Sequence, residues 1–134
     1  MKKNSLNKDE ILSLKKVIAE TFEKQNKIFN FPFKVLINSS VLPTTKPAQV
    51  LFTVPKRNFK LAVDRNRIRR RIKEAYRKNK HALYQYLDVN NLQLAIIIIY
   101  IGKEDMSYSE IEKKIILSLQ KIIPLLEEST KNKS

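Results

Sequence analysis

The stretch Arg65-Asn66-Arg67-Ile68-Arg69-Arg70-Arg71-Ile72-Lys73-Glu74-Ala75-Tyr76-Arg77 decides how this chain is read. It is densely cationic, yet its apolar residues keep helical pitch: Leu61, Ile68, Ile72 and Ala75, with Asn79, fall along one side. At about 100° per residue, Asn66, Arg70, Lys73 and Arg77 line the opposite side. Arg65 and Arg69 flank one edge of the apolar seam, and Arg67, Arg71 and Lys78 flank the other. Such a helix docks on a core along one stripe and presents guanidinium groups over most of the remainder. Arginine offers a planar fork that meets phosphate oxygens two at a time and stays charged near neutrality. Ordinary solvated helix faces mix signs at i, i+4 spacing; here only Asp64 and Glu74 are at hand in the sequence. The row calls for a polyanion, nucleic acid first and anionic membrane second.

Composition sets the bounds. The chain has 134 residues, a net charge of +14 and 43% hydrophobic residues, which is the size of one domain with material for a core. Residues 56 to 80 hold twelve Lys or Arg against two acids, and Lys56, Arg57 and Lys60 extend the cationic surface ahead of the helix. Without cysteine there is no disulfide framework, thiolate metal site or cysteine nucleophile. A single glycine, Gly102, excludes a glycine-rich phosphate cradle. Met1-Lys2-Lys3 leads into polar residues, so no secretory signal is expected, and the apolar run Leu94–Ile101 is too short to span a bilayer. The expectation is one domain over residues 1–134, with 1–12 and 129–134 as flexible ends.

Catalysis by the protein itself finds no support. His81 is the only histidine, and Lys80, Ala82 and Leu83 give it neither partner nor pocket. Asp64 with Asn66 is the one pairing that suggests a divalent ion, and the surrounding arginines oppose it. No catalytic or metal-ligating residue is therefore assigned.

The rest of the chain reads as a small α+β domain. A first helix carries the stripe Ile11, Leu14, Ile18 and Phe22; Asn7 with Glu10, which has capping-box spacing, or Ser13 with Lys16 following, begins it. Residues 26–30 read as a polar connection. Phe31–Asn38 and Ala48–Val54 read as strands, expected to pair as an antiparallel hairpin because the connector between them is short. The basic helix is placed at about residues 61–79, and His81–Leu87 either continues it or forms a separate turn. Gln93–Ile101 is continuous and β-branched, hence a central strand covered on both faces. Ser107 or Ser109 caps a last helix with the stripe Ile111, Ile115, Leu119, Ile122 and Leu126, which Pro124 is expected to kink or end. Among the aromatics Phe22, Phe29, Phe31, Phe33 and Phe52, one or two exposed rings beside the basic helix would suit unpaired bases.

The segment Val54-Pro55-Lys56-Arg57-Asn58-Phe59-Lys60-Leu61-Ala62-Val63-Asp64-Arg65-Asn66-Arg67, continuing to Arg77, closely resembles the signature of the bacterial ribonuclease P protein subunit. In that signature a basic turn and short connector precede an A-V-x-R-N-R helix start. Three departures stand out: Pro55 where the family has Ser; a connector, Asn58-Phe59-Lys60-Leu61, that lacks the usual Gly and is one residue longer than in many members; and no glycine near Gln25, where the family often has one after the first helix. The resemblance implies a single-domain αβββαβα sandwich with a small sheet and a left-handed βαβ crossover, an arrangement shared with a domain of a small-subunit ribosomal protein. General rules favour the opposite hand. It further implies a cytoplasmic protein, monomeric without RNA, that joins a catalytic ribonuclease P RNA. Together they act as an endoribonuclease that removes the 5′ leader of precursor tRNA, with Mg²⁺ held mainly by the RNA. Carried over by position, Arg65, Asn66, Arg67, Arg69, Arg70 and Lys73 are the RNA-proximal group, to which charge adds Lys56, Arg57, Lys60 and Arg77. Ile18, Phe22, Phe33 and Leu36 are the candidates for a leader cleft between the first helix and the sheet. Composition alone leaves open a structural RNA-binding protein such as a ribosomal component. A DNA-binding regulator would require a dimer, and no zipper is present.

Overall fold

The computed structural model describes residues 6–24 and 26–131, with side chains through Glu128. The architecture follows from its most apolar segment. β4 (Leu94–Tyr100) is an almost unbroken run of Leu, Ala and Ile, so neither its faces nor its edges tolerate water. Its neighbours are β2 (Phe33–Ser39), antiparallel with Leu36 opposite Ile97, and β3 (Ala48–Thr53), parallel with Leu51 opposite Ile97. β1 (Lys27–Asn30) completes the sheet at the far edge, giving the order β1-β2-β4-β3.

This order corrects the expected hairpin. The strands at 33–39 and 48–53 do not pair, because β4 lies between them. Their connector instead crosses the end of the sheet and is held there by one side chain. Gln93 Oε1 accepts from the Leu42 amide at 2.8 Å, while its Nε2 donates to the carbonyls of Thr44 and Lys46 at 2.8 and 3.0 Å. The expected polar connection at 26–30 is also a strand. Ile28 points into the core, and Asn30 Nδ2 donates to the Lys114 carbonyl and Ser118 Oγ at 3.1 and 3.2 Å. Three strands therefore precede the basic helix, as the family resemblance implies.

Helices cover both faces of the sheet. α2 (Ala62–Asn79) and α4 (Tyr108–Lys131) bury one face, where Phe33, Val35, Val50, Phe52, Ile96, Ile98 and Tyr100 meet Ile68, Ile72, Ala75, Tyr76, Ile111, Ile115 and Ile122. α3 (His81–Val89) is a separate helix at the end of α2, set off at Lys80. α1 (Lys15–Glu23) lies on the opposite face over Leu36, Ala95 and Ile97. β3 and β4 are joined through α2 and α3, since parallel neighbours need a crossover connection.

Two register expectations and one helix end change. α1 buries Val17 and Thr21 rather than the stripe of Leu14 and Phe22, which are 45% and 51% exposed. Thr21 tolerates burial because its hydroxyl donates to the Val17 carbonyl at 2.7 Å. On α2, Leu61 lies outside the seam at 62% exposure, and Tyr76 takes a core place, edge-on to Phe52 at 5.5 Å. In α4 the expected stripe is buried and Ser107 Oγ accepts from the Glu110 amide, but the helix continues through Pro124 to Lys131. Pro124 is on the exposed side, where the carbonyl deprived of its partner meets water.

The N-terminal segment is packed where it is described. Asn7 and Glu10 do form a box, with the Asn7 amide on Glu10 Oε2 at 2.7 Å, but it closes a 3-10 turn at Lys8–Glu10, not α1. Ile11 then bridges Val50, and the Leu12 amide donates to the Val50 carbonyl at 3.0 Å, extending the β3 edge. Residues 6–12 thus have packing partners along the β3 edge and residues 129–131 continue α4, while 1–5 and 132–134 lie outside the described residues.

Candidate nucleic-acid interface

The basic surface begins where β3 runs out. Lys56, Arg57 and Lys60 are exposed on the connector into α2. That connector lacks a glycine, and it is stitched instead by Arg65, whose Nη1 donates to the carbonyls of Phe59 and Lys60 at 2.7 and 2.9 Å. Arg65 therefore shapes the entry to the helix as well as contributing charge.

Along α2 the cations sort into two populations. The flank facing α4 is paired. Arg67 Nη2 meets Asp64 Oδ1 at 2.9 Å and Asp105 Oδ2 at 3.0 Å, and Arg71 Nη1 meets Asp105 Oδ1 at 2.6 Å. Arg77 grips Glu74 with two nitrogens, its Nε lying 2.9 Å from Oε2. Those hydrogen bonds hold the Glu74 carboxyl below the usual carboxylate range. Asp64 and Glu74 are therefore not the only acids near the helix: Asp105 comes from the β4–α4 loop, beyond the reach of any local reading.

The outward row is different. Asn66, Arg70 and Lys73 are exposed. Among the described residues, the Arg70 and Lys73 side chains have no ion pair and no hydrogen bond. Arg69 Nη1 donates to Asn66 Oδ1 at 2.8 Å, which orients the Asn66 amide at the helix start. One cation in the sequence cluster belongs elsewhere: Lys80 is 4% exposed, its Nζ 2.7 Å from Glu10 Oε1. It ties the N-terminal turn to the α2–α3 junction and does not face a ligand.

The expected leader cleft is partly rearranged. Ile18 is half-buried and Phe22 is exposed, both on α1. Leu36 lies beneath α1 at 4% exposure and serves as its support. Phe33 is corrected: it is fully buried on the opposite face of the sheet, edge-on to Tyr100 at 5.7 Å, because strand alternation places it with Val35 and Ile37. The open floor beside Ile18 is instead a cross-strand row, Phe29–Lys34–Ile99–Thr53, in direct register. Phe29 is 66% exposed. The local sequence carries no sign of this row, since it is assembled from four strands whose order was needed first.

The described residues do not fit a Mg²⁺ site. No group of three or more His, Asp or Glu converges among them, and the Asp64 carboxylate is taken by Arg67. Nor is any described helix long and apolar enough to cross a membrane.

A family model described as Ribonuclease P matches residues 6–123, most of the chain and the whole of the sheet and basic helix. The chain belongs to the ribonuclease P protein family. Ribonuclease P protein components resemble it along most of its length. That of Chlorobium phaeobacteroides is 36% identical over 107 residues, covering 74% of this chain and 73% of the relative. That of Porphyromonas gingivalis is 29% identical over 117 residues, covering 87% and 85%. The fold is shared with the ribonuclease P proteins of Thermotoga maritima and Staphylococcus aureus, with TM-scores of 0.64 and 0.63. Each is 20% identical; the match covers 84% of this chain in both cases, and 96% and 94% of those chains. As a ribonuclease P subunit the chain acts in 5′ processing of transfer RNA.

Proposed function

We propose that this subunit binds the ribonuclease P RNA through the outward row of α2 and the 5′ leader of precursor tRNA over the open sheet face, while the RNA and its Mg²⁺ supply the scission. The observation that carries the reading is the contrast along α2. One flank is braced by carboxylates, and Arg70 and Lys73 are left without partners on the side away from the core. Cations held this way lower the repulsion between two polyanions, which favours assembly and substrate capture. The cytoplasm, where transfer RNA matures, is the compartment this role requires.

Reconstitution tests the reading. Mixed with a bacterial ribonuclease P RNA and precursor tRNA at low Mg²⁺, the protein is expected to stimulate leader removal. Absence of stimulation with a cognate RNA removes the proposal. The leader contact has its own prediction. Phe22→Ala takes an exposed ring from the cleft rim and is expected to cost about 1–3 kcal/mol of stacking. Binding of precursor tRNA to the holoenzyme weakens accordingly, and binding of mature tRNA, which lacks the leader, stays unchanged. Equal losses for the two ligands would place Phe22 outside the leader path.

A further inference from the structure

We infer that the Asp105 carboxylate occupies a phosphate position on α2, and that an RNA phosphate displaces it from Arg67 and Arg71 when the complex forms. The inference rests on the RNA-binding reading above and extends it to Arg71 and to the β4–α4 loop, which that reading uses only as an internal brace. The geometry is that of an oxyanion between two forks. Asp105 Oδ2 accepts from Arg67 Nε and Nη2 at 3.2 and 3.0 Å, and Oδ1 accepts from Arg71 Nη1 at 2.6 Å. Two guanidinium groups sharing two oxygens of one anion is the arrangement by which arginines grip phosphate.

The anion comes from outside the helix, and its surroundings have room for a replacement. The Asp105 side chain is 38% exposed. Beside the pair lies an open depression of about 380 Å³ between α2 and α4, lined by Arg67, Arg70, Arg71, Glu74 and Tyr108. An arriving phosphate thus finds the unpartnered Arg70 next to the two occupied forks. The loop is pinned on either side of Asp105. The Tyr100 hydroxyl donates to the Glu104 carbonyl at 2.5 Å, and Ser107 caps α4. Movement is confined to the few residues around Asp105, including Met106, whose carbonyl accepts from Arg71 at 2.6 Å.

Energetics favour the exchange for a polymer only. Exposed ion pairs contribute little to stability, whereas each phosphate neutralised on a polyanion releases counterions. Asp105 then acts as a threshold: isolated anions do not replace it, and a dense phosphate chain does.

The test compares Asp105→Asn with Glu104→Gln in the full chain, binding ribonuclease P RNA. Glu104 is the neighbouring exposed acid, and its side chain has no ion pair among the described residues, so both variants remove one negative charge. At ~0.1 M salt, Asp105→Asn is expected to bind about five- to tenfold tighter than the parent, and Glu104→Gln less than about twofold tighter. Arg71→Ala is expected to remove most of the gain. In the unaltered protein, hydrogen exchange at Lys103–Met106 is expected to rise on adding RNA while α2 becomes protected. A plain structural clamp predicts the opposite. Asp105→Asn binding no tighter than Glu104→Gln, or loop exchange that stays level or falls, overturns the inference. Failure of the unaltered protein to bind RNA at all would instead overturn the proposed function.

Discussion

Replacing Arg70 and Lys73 together with alanine is expected to weaken binding to ribonuclease P RNA about fiftyfold at ~0.1 M salt, and to flatten the log–log salt dependence by about two. Both side chains are exposed on the face of α2 away from the sheet, and neither has a partner among the described residues. Their removal therefore costs no internal contact, and the melting temperature should stay where it was. Arg67→Ala makes a useful contrast. It removes a phosphate-competent fork but also strands Asp64 and leaves Asp105 with Arg71 alone, so its effect mixes binding with loop order. Binding titrations between about 50 and 200 mM salt separate the two cases. A slope unchanged by the double substitution would mean that the outward row does not touch phosphate.

The second large effect is on stability. Lys80→Ala is expected to destabilise the fold by about 3–5 kcal/mol, because it leaves Glu10 buried and charged without its partner. A change of that size lowers the melting temperature by on the order of 10 °C in a domain of this length. The pair is dry: the two side chains are 5% and 2% exposed, and Lys80 also sits 5.1 Å over the Tyr84 ring. Tyr84 shares a hydrogen bond of 2.9 Å with Tyr76, so the network reaches from the N-terminal turn into the seam of α2.

The sign of the pH dependence follows from Glu10. Burial alone raises its pKa, but hydrogen bonds from Lys80, the Asn7 amide and Tyr84 outweigh burial and leave it below the usual 4.5. A carboxyl lowered in the folded state contributes stability that is present above about pH 4.5 and disappears as pH falls through its lowered value. In Lys80→Ala the stranded carboxyl takes up a proton more readily, so the gap between variant and parent is expected to narrow on acidification. Denaturant unfolding at pH 7 and pH 4 measures this. A gap that is constant with pH would show that the loss comes from packing alone. Glu10→Gln with Lys80→Met should recover much of the stability, since an apolar replacement leaves no unpaired charge.

Periodicity, charge and one motif took the reading of this chain a long way. The seam of Ile68, Ile72 and Ala75, the outward Arg70 and Lys73, the two-faced burial of β4 and the stripe of α4 are properties of single segments, and spacing along the chain is enough to state them. The frame from Val54 to Arg77 added the family. What the sequence did not contain were relations between segments. Strand order depended on which element takes the place beside β4, so the hairpin inferred from a short connector failed. The side of the sheet to which Phe33 points depended on register and not on its hydrophobicity. On α1 a hydrogen-bonded threonine took the core position that a count of apolar residues would deny it. Charge shows the same division. The twelve cations at 56–80 are plain in the sequence. Their separate uses are not: Lys80 meets an acid seventy residues away, and Asp105 crosses from another loop to Arg67 and Arg71. Local spacing determines which face of an element is apolar or cationic, because that is a matter of helical and strand geometry. Only the packed tertiary structure decides which of those charges are neutralised within the free protein and which stand open, because that depends on groups brought together through space.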